Sequence, residues 1–89
     1  MNVSVIARVK GQVQGVMFRI SCQEKAIDFS LSGYAKNLES GDVEVLMCGA
    51  QASVDEMLAW LSQGPEKADV TSVEHHEVKV PVPNFFSVE

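Results

Sequence analysis

An α/β sandwich of β-α-β-β-α-β order is predicted by three features. Several segments alternate apolar and polar residues, two carry apolar residues at helical spacing, and glycine- or proline-containing breaks separate them. Residues 3–10 alternate Val3, Val5, Ala7 and Val9 with Ser4, Ile6, Arg8 and Lys10, a strand with one largely apolar face. Gly11 and Gly15 bracket a turn. Phe18, Cys22, Ala26 and Phe29 then fall on one stripe of a helix. Residues 31–37 read as a second strand, weakened by Gly33 inside it. Asn37-Leu38-Glu39-Ser40-Gly41-Asp42 is a hairpin turn, and Val43, Val45 and Met47 alternate with Glu44, Leu46 and Cys48 in the returning strand. Ser53-Val54-Asp55-Glu56 reads as a capping box with Ser53 as N-cap. Val54, Met57, Leu58 and Leu61 form the buried stripe of that helix, and Gly64-Pro65 stops it. Val70 to Lys79 is a fourth strand. Pro81 and Pro83 interrupt, and Phe85 to Val88 form a short fifth strand at an edge. The order is that of the split βαβ, or ferredoxin-like, arrangement, α+β in class: an antiparallel sheet with two helices on one face.

The length, 89 residues, suits one small domain over residues 1–89. A hydrophobic share of 46% is too high for a disordered chain, and no apolar run is long enough to span a bilayer. The amino-terminal residues lack a basic start, a long apolar stretch and a small-residue cleavage site, so the expected compartment is the cytoplasm. The net charge of −5 argues against nucleic acid as a partner. The cations are unevenly spread: residues 1–23 hold Arg8, Lys10 and Arg19 and no acid, and Lys36 lies in the next strand. An acidic protein with such a cationic corner could hold a small anion there. Cys22 and Cys48 show no metal-type spacing, and both thiols are expected to be free. Alternation places Cys48 with Glu44, away from the face of Val43, Val45 and Met47, whereas Cys22 lies on the helix stripe.

Most chemistry-bearing patterns point elsewhere. His75 and His76 are adjacent in a strand, so they face opposite ways and cannot chelate one ion. RNA binding on this scaffold would want exposed aromatics on central strands and a basic surface. No Ser or Cys sits beside a His in a recognisable nucleophile motif. What remains is the loop Gly11-Gln12-Val13-Gln14-Gly15-Val16-Met17-Phe18-Arg19, which joins a strand to a helix N-terminus. Its glycines allow positive φ, which turns successive N–H groups inward as an anion-binding nest, and the helix dipole adds positive charge. Arg19 in the first helical turn opposes that dipole, as if an anion lay between them. Spacing alone leaves open, and favours, a plain Gly-rich turn with Arg19 in solvent.

Gly11 to Arg19 stands as G-x-V-Q-G-V-x-F-R and closely resembles the acylphosphatase signature. Gly33-Tyr34-Ala35-Lys36-Asn37 resembles that family's G-[YW]-x-x-N motif, and Trp60 to Pro65 is similar to its W-L-x-x-G-P. The resemblance runs from about Val5 to Val88. It implies a small, monomeric cytoplasmic enzyme that hydrolyses the carboxyl–phosphate bond of acyl phosphates without metal or other cofactor. By motif position, the loop amides of Gly15, Val16, Met17, Phe18 and Arg19 would cradle the phosphoryl group, or a phosphate or sulfate anion in its place. The Arg19 side chain would hold the phosphoryl oxygens, and Asn37 would orient the attacking water. Three positions depart from the family pattern: Ser30 replaces a common Gly near the end of the first helix, Ala35 a common Val, and Glu89 stands where some members have a basic or aromatic residue. The last leaves a tie between the C-terminus and the rest of the fold unassigned. A binding module that holds such a ligand without turnover is the second reading; a chain of this length beginning at Met favours the stand-alone enzyme.

Overall fold

Alternation in the first segment extends into a long strand, β1 (Asn2–Gln12), and the helical stripe after it into α1 (Phe18–Asp28). The chain continues through β2 (Ser32–Asn37), β3 (Val43–Ala50), α2 (Gln51–Leu61), β4 (Asp69–Glu77) and β5 (Phe86–Val88). This computed structural model describes residues 1–89. The strand order is β4-β1-β3-β2-β5. The four long strands pair antiparallel, as the alternation predicts. The short β5 joins β2 in parallel at the sheet edge, so the complete sheet is mixed.

Both helices cover one face of this sheet. Val5, Ala7, Val9, Ala35, Val43, Val45 and Met47 from the strands form a single cluster with Phe18, Cys22 and Ala26 of α1 and Val54, Met57 and Leu61 of α2. No polar side chain is buried, so no hydrogen-bonding group has to be satisfied inside. Ala35 is fully buried between Val45 and Val88. No helix is long and apolar enough to cross a membrane.

Gly33 does not weaken β2; it permits it. A Cβ there would lie 1.8 Å from the Leu46 carbonyl oxygen, so any side chain would push β2 away from β3. The fourth strand ends two residues short of Lys79, ahead of the Pro81 and Pro83 segment, which cannot supply ladder donors.

The expected capping box at Ser53 does not form. α2 begins directly after β3, with Ala50 as its N-cap in extended conformation and no side-chain cap. Ser53 is already inside the helix. The orphan N–H of Gln51 donates instead to the Met1 carbonyl at 3.0 Å, so the neighbouring strand's start serves as the cap. α1 ends in a Schellman motif: Ser30 N–H donates to the Ile27 carbonyl and Leu31 N–H to the Ala26 carbonyl. The motif needs a left-handed residue, and Ser30 takes it with φ 59°. This is the position where the related pattern has Gly.

Both cysteines are free. Cys22 is in the core between helix and sheet, while Cys48 lies on the other face, its cross-strand neighbours being Ser4 and Ser32. Burial pushes the Cys22 thiol up to about 12.

Two predictions follow from these observations. Relief of the left-handed serine outweighs the extra chain entropy of glycine, so Ser30→Gly is expected to stabilise the protein by roughly 0.5–1 kcal/mol. Thermal unfolding checks this; an unchanged or lower Tm would show that the serine is not strained. The raised Cys22 pKa makes stability independent of this group below the ordinary thiol value of 9.0. Above it the unfolded chain releases the proton and the folded chain retains it, so stability falls between pH 9 and about 12. Urea titrations of wild type and Cys22→Ala across that range measure the difference, which should shrink as pH rises.

Candidate active site

The C-terminal ends of β1, β2 and β5 lie at one end of the sheet, because β1 and β2 both run antiparallel to β3 and β5 runs parallel to β2. The loop after β1 leaves from this end and enters α1. Its far end is held by Phe18, the first residue of the helix, which is 1% exposed and packs its ring 5.9 Å from that of Trp60 on α2. Burying a phenylalanine of this kind contributes on the order of 2–3 kcal/mol. The preceding residues are therefore pinned, helped by Val13, which is itself in the core, and by Val16, which packs against it.

Between the end of β1 and Phe18 the backbone curls. Gly15 has φ 76° and Met17 has φ 62°, left-handed positions on either side of Val16. A curl of this kind turns successive N–H groups toward a common point. Met17 is also the N-cap of α1, and no side chain bonds the helix's first amides. These donors are left for a ligand or solvent.

A cleft of about 220 Å³ opens here, lined by Val13, Gly15, Met17, Phe18, Arg19, Ile20 and Asn37. Of the expected site residues, Gly15, Met17, Phe18, Arg19 and Asn37 therefore come together on one cleft. Val16 does not line it; its side chain packs against the core. Val13 and Ile20 were not singled out by spacing. Ile20 and Met17 are exposed and give the rim an apolar character.

The broad cationic corner expected from the charge distribution narrows to one residue. Arg8 Nε pairs with Asp42 Oδ2 at 2.7 Å, Lys10 with Glu74 at 3.5 Å and Lys36 with Glu44 at 3.7 Å. Acids from the later part of the chain thus neutralise three of the four cations. Arg19 has no carboxylate side chain against it. Its Nη1 donates to a main-chain oxygen of Glu89, the residue that follows β5. The tie comes from a main-chain atom, so the departure at the Glu89 side chain does not remove it.

Asn37 is exposed at the end of β2, opposite Val43. The alternative role for an Asn here is local bonding that closes the turn. Other groups do that work. Leu38 N–H donates to the Asp42 carbonyl and Gly41 N–H to the Leu38 carbonyl. Arg8 Nη2 reaches Ser40 Oγ at 3.0 Å. Gln14 Nε2 donates to the carbonyls of Leu38 and Asp42, both at 2.9 Å. No side-chain bond engages Asn37. Sequence reasoning passed over Gln14 because its partners lie 24 and 28 residues away, and nothing local announces them.

His75 and His76 face opposite sides of β4, beside Ala7 and Ile6, and both are exposed. Nowhere do three or more His, Cys, Asp or Glu side chains gather as a metal-ligand group.

Known proteins share this sequence and geometry. The family model for acylphosphatase matches residues 5–88. The chain is 54% identical over 88 residues to an acylphosphatase of Colwellia psychrerythraea, covering 99% of each chain. It is 47% identical over 78 residues to one from Aeromonas salmonicida, covering 88% of this chain and 87% of that one. Among solved structures, an acylphosphatase from Coxiella burnetii superposes with a TM-score of 0.95 at 39% identity, covering 99% of this chain and 93% of that one.

The curl yields one prediction. A Cβ on Gly15 would meet nothing within 4 Å, so Gly15→Ala carries no clash, only the cost of a left-handed alanine. The expected loss is roughly 1 kcal/mol of stability, with weaker binding of inorganic phosphate as the loop relaxes. Wild-type melting and wild-type phosphate affinity together would show that the curl holds no anion.

Proposed function

The chain belongs to the acylphosphatase family, enzymes that hydrolyse acyl phosphates, and we propose that Arg19 and the loop amides hold the phosphoryl group while Asn37 orients the attacking water. The observation that carries this reading is the meeting of two particular side chains on one cleft. Arg19 is the one cation of its region with no carboxylate side chain against it, and Asn37 is free of the turn it adjoins. Between them lies the left-handed loop from Gly15 to Met17.

The chemistry asks for little more. The leaving group is a carboxylate whose conjugate acid has a pKa near ~4, so it departs at neutral pH without a general acid. The transition state is loose and spreads negative charge over three phosphoryl oxygens. A planar guanidinium and a ring of amides match that charge by position alone. The water needs direction more than deprotonation, and a phosphate oxygen of the substrate accepts its proton. The Asn37 carboxamide supplies both a donor and an acceptor for that water. The in-line attack runs without a metal ion, the charge being met by Arg19 and the amides. Met17 and Ile20 offer the acyl substituent an apolar rim.

The two side chains separate kinetically. With a small aryl acyl phosphate in excess EDTA, the wild-type protein is expected to turn over at an undiminished rate. Arg19→Gln should lose phosphate binding together with activity, and Arg19→Lys should fail nearly as badly, since an ammonium lacks the planar fork. Asn37→Ala should lose roughly 10²-fold or more in kcat while its Kd for phosphate stays within a few fold. An Asn37→Ala protein that melts early but keeps its kcat when folded would make Asn37 structural. Loss of wild-type turnover on chelation, restored by a divalent ion, would refute the metal-free attack.

A further inference from the structure

Between the two halves of the cleft there is a gap in the main-chain bonding. No backbone hydrogen bond crosses from residues 13–16 of the loop to residues 37–42 of the β2–β3 turn. Yet Arg19 is attached to the first and Asn37 to the second, and their separation has to suit one phosphoryl group and one water. The polar link across this gap is the Gln14 side chain. Its single NH2 group gives one hydrogen to the Leu38 carbonyl and the other to the Asp42 carbonyl. These two carbonyls already close the turn, accepting from Gly41 and Leu38 respectively. Gln14 thus grips the turn as a unit, immediately after Asn37 on one side and immediately before Gly15 on the other.

We propose that Gln14 is a positioning residue for hydrolysis, setting the distance between Asn37 and the phosphate loop. The inference rests on the reading of Asn37 as the group that directs the water. Gln14 touches no reacting atom; it acts through the turn. The turn has an independent support from β1, the Arg8 bonds to Asp42 and Ser40, so the fold does not depend on Gln14. What depends on it is register between two loops, and misplacing a reacting group by about 1 Å can cost on the order of 10²-fold in rate. The residue type is also specific. A glutamate of the same shape has no hydrogen to donate and would set a carboxylate against two carbonyl oxygens, and an asparagine is one methylene too short to reach both.

The test uses Gln14→Met, which keeps length and removes both donors, and Gln14→Glu, which keeps shape and reverses the polarity. Melting temperature, phosphate Kd, and KM and kcat for a small aryl acyl phosphate are measured for each, alone and combined with Asn37→Ala. The expected result is a kcat loss of about tenfold or more in Gln14→Met, with phosphate Kd within about threefold of wild type. Gln14→Glu should be the slower of the two; should it not fold, Gln14→Met carries the test. The double variant Gln14→Met with Asn37→Ala should be within about threefold of Asn37→Ala alone, because a misplaced group that is already absent costs nothing further. Full kcat in Gln14→Met overturns the proposal, as does a loss that multiplies with that of Asn37→Ala or one that tracks weakened phosphate binding. An unimpaired kcat in Asn37→Ala is a different result: it overturns the water-directing reading itself, and the positioning role with it.

Discussion

Burial of Phe18 is the constraint on which the site depends. A loop containing two left-handed residues has no secondary structure to hold its shape, and only Val13 and Val16 of its side chains reach the core. Seating the Phe18 ring against Trp60, in the same core that joins both helices to the sheet, fixes the last residue of the curl. Arg19 follows by one residue, so its Cα inherits that placement. Lys25 Nζ stands over the Trp60 ring at 6.0 Å, adding a weak cation–π contact from α1 to α2. The loop is therefore as well placed as the core beneath it, although it lies on the surface.

The electrostatics show selection by pairing rather than by accumulation. The chain is acidic overall, and its acids are deployed against its cations. Asp42, Glu44 and Glu74 each take one, on the open face of the sheet or beside it. Such exposed pairs contribute little stability. Their effect on the site is subtractive: they leave Arg19 as the cation with no carboxylate side chain against it, tethered by a main-chain oxygen of Glu89. A site that must bind and release a dianion gains more from one well-aimed guanidinium than from a diffuse positive surface.

Helix ends show how tertiary contacts replace local signals. α2 begins without a capping side chain because the Met1 carbonyl is near enough to receive the Gln51 amide. α1 ends in a full Schellman pattern although its left-handed residue is a serine. In both cases three residues or fewer separate the helix end from the adjoining strand, so the sheet decides where the helix begins or stops.

Hydrophobic periodicity in the sequence determined the element order, the shared helical face and the opposite orientation of Cys22 and Cys48. These are properties of side-chain direction within a segment, which alternation or helical spacing sets directly. The glycine pattern likewise marked the loop before α1 as unusual, because few other residues accept positive φ. Tertiary structure decided what depends on distance between segments. The start of α2 moved off Ser53 once the Met1 carbonyl supplied the cap. The parallel pairing of β5 depends on where the Pro81 to Phe85 segment delivers the chain, which no local pattern encodes. The narrowing of the cationic corner to Arg19 needed Asp42, Glu44 and Glu74 to arrive from other strands. The Gln14 clamp needed carbonyls 24 and 28 residues away. Main-chain acceptors carry no residue identity, so a partner made of them leaves no mark in the sequence; only the folded chain brings them within reach of the side chain that uses them.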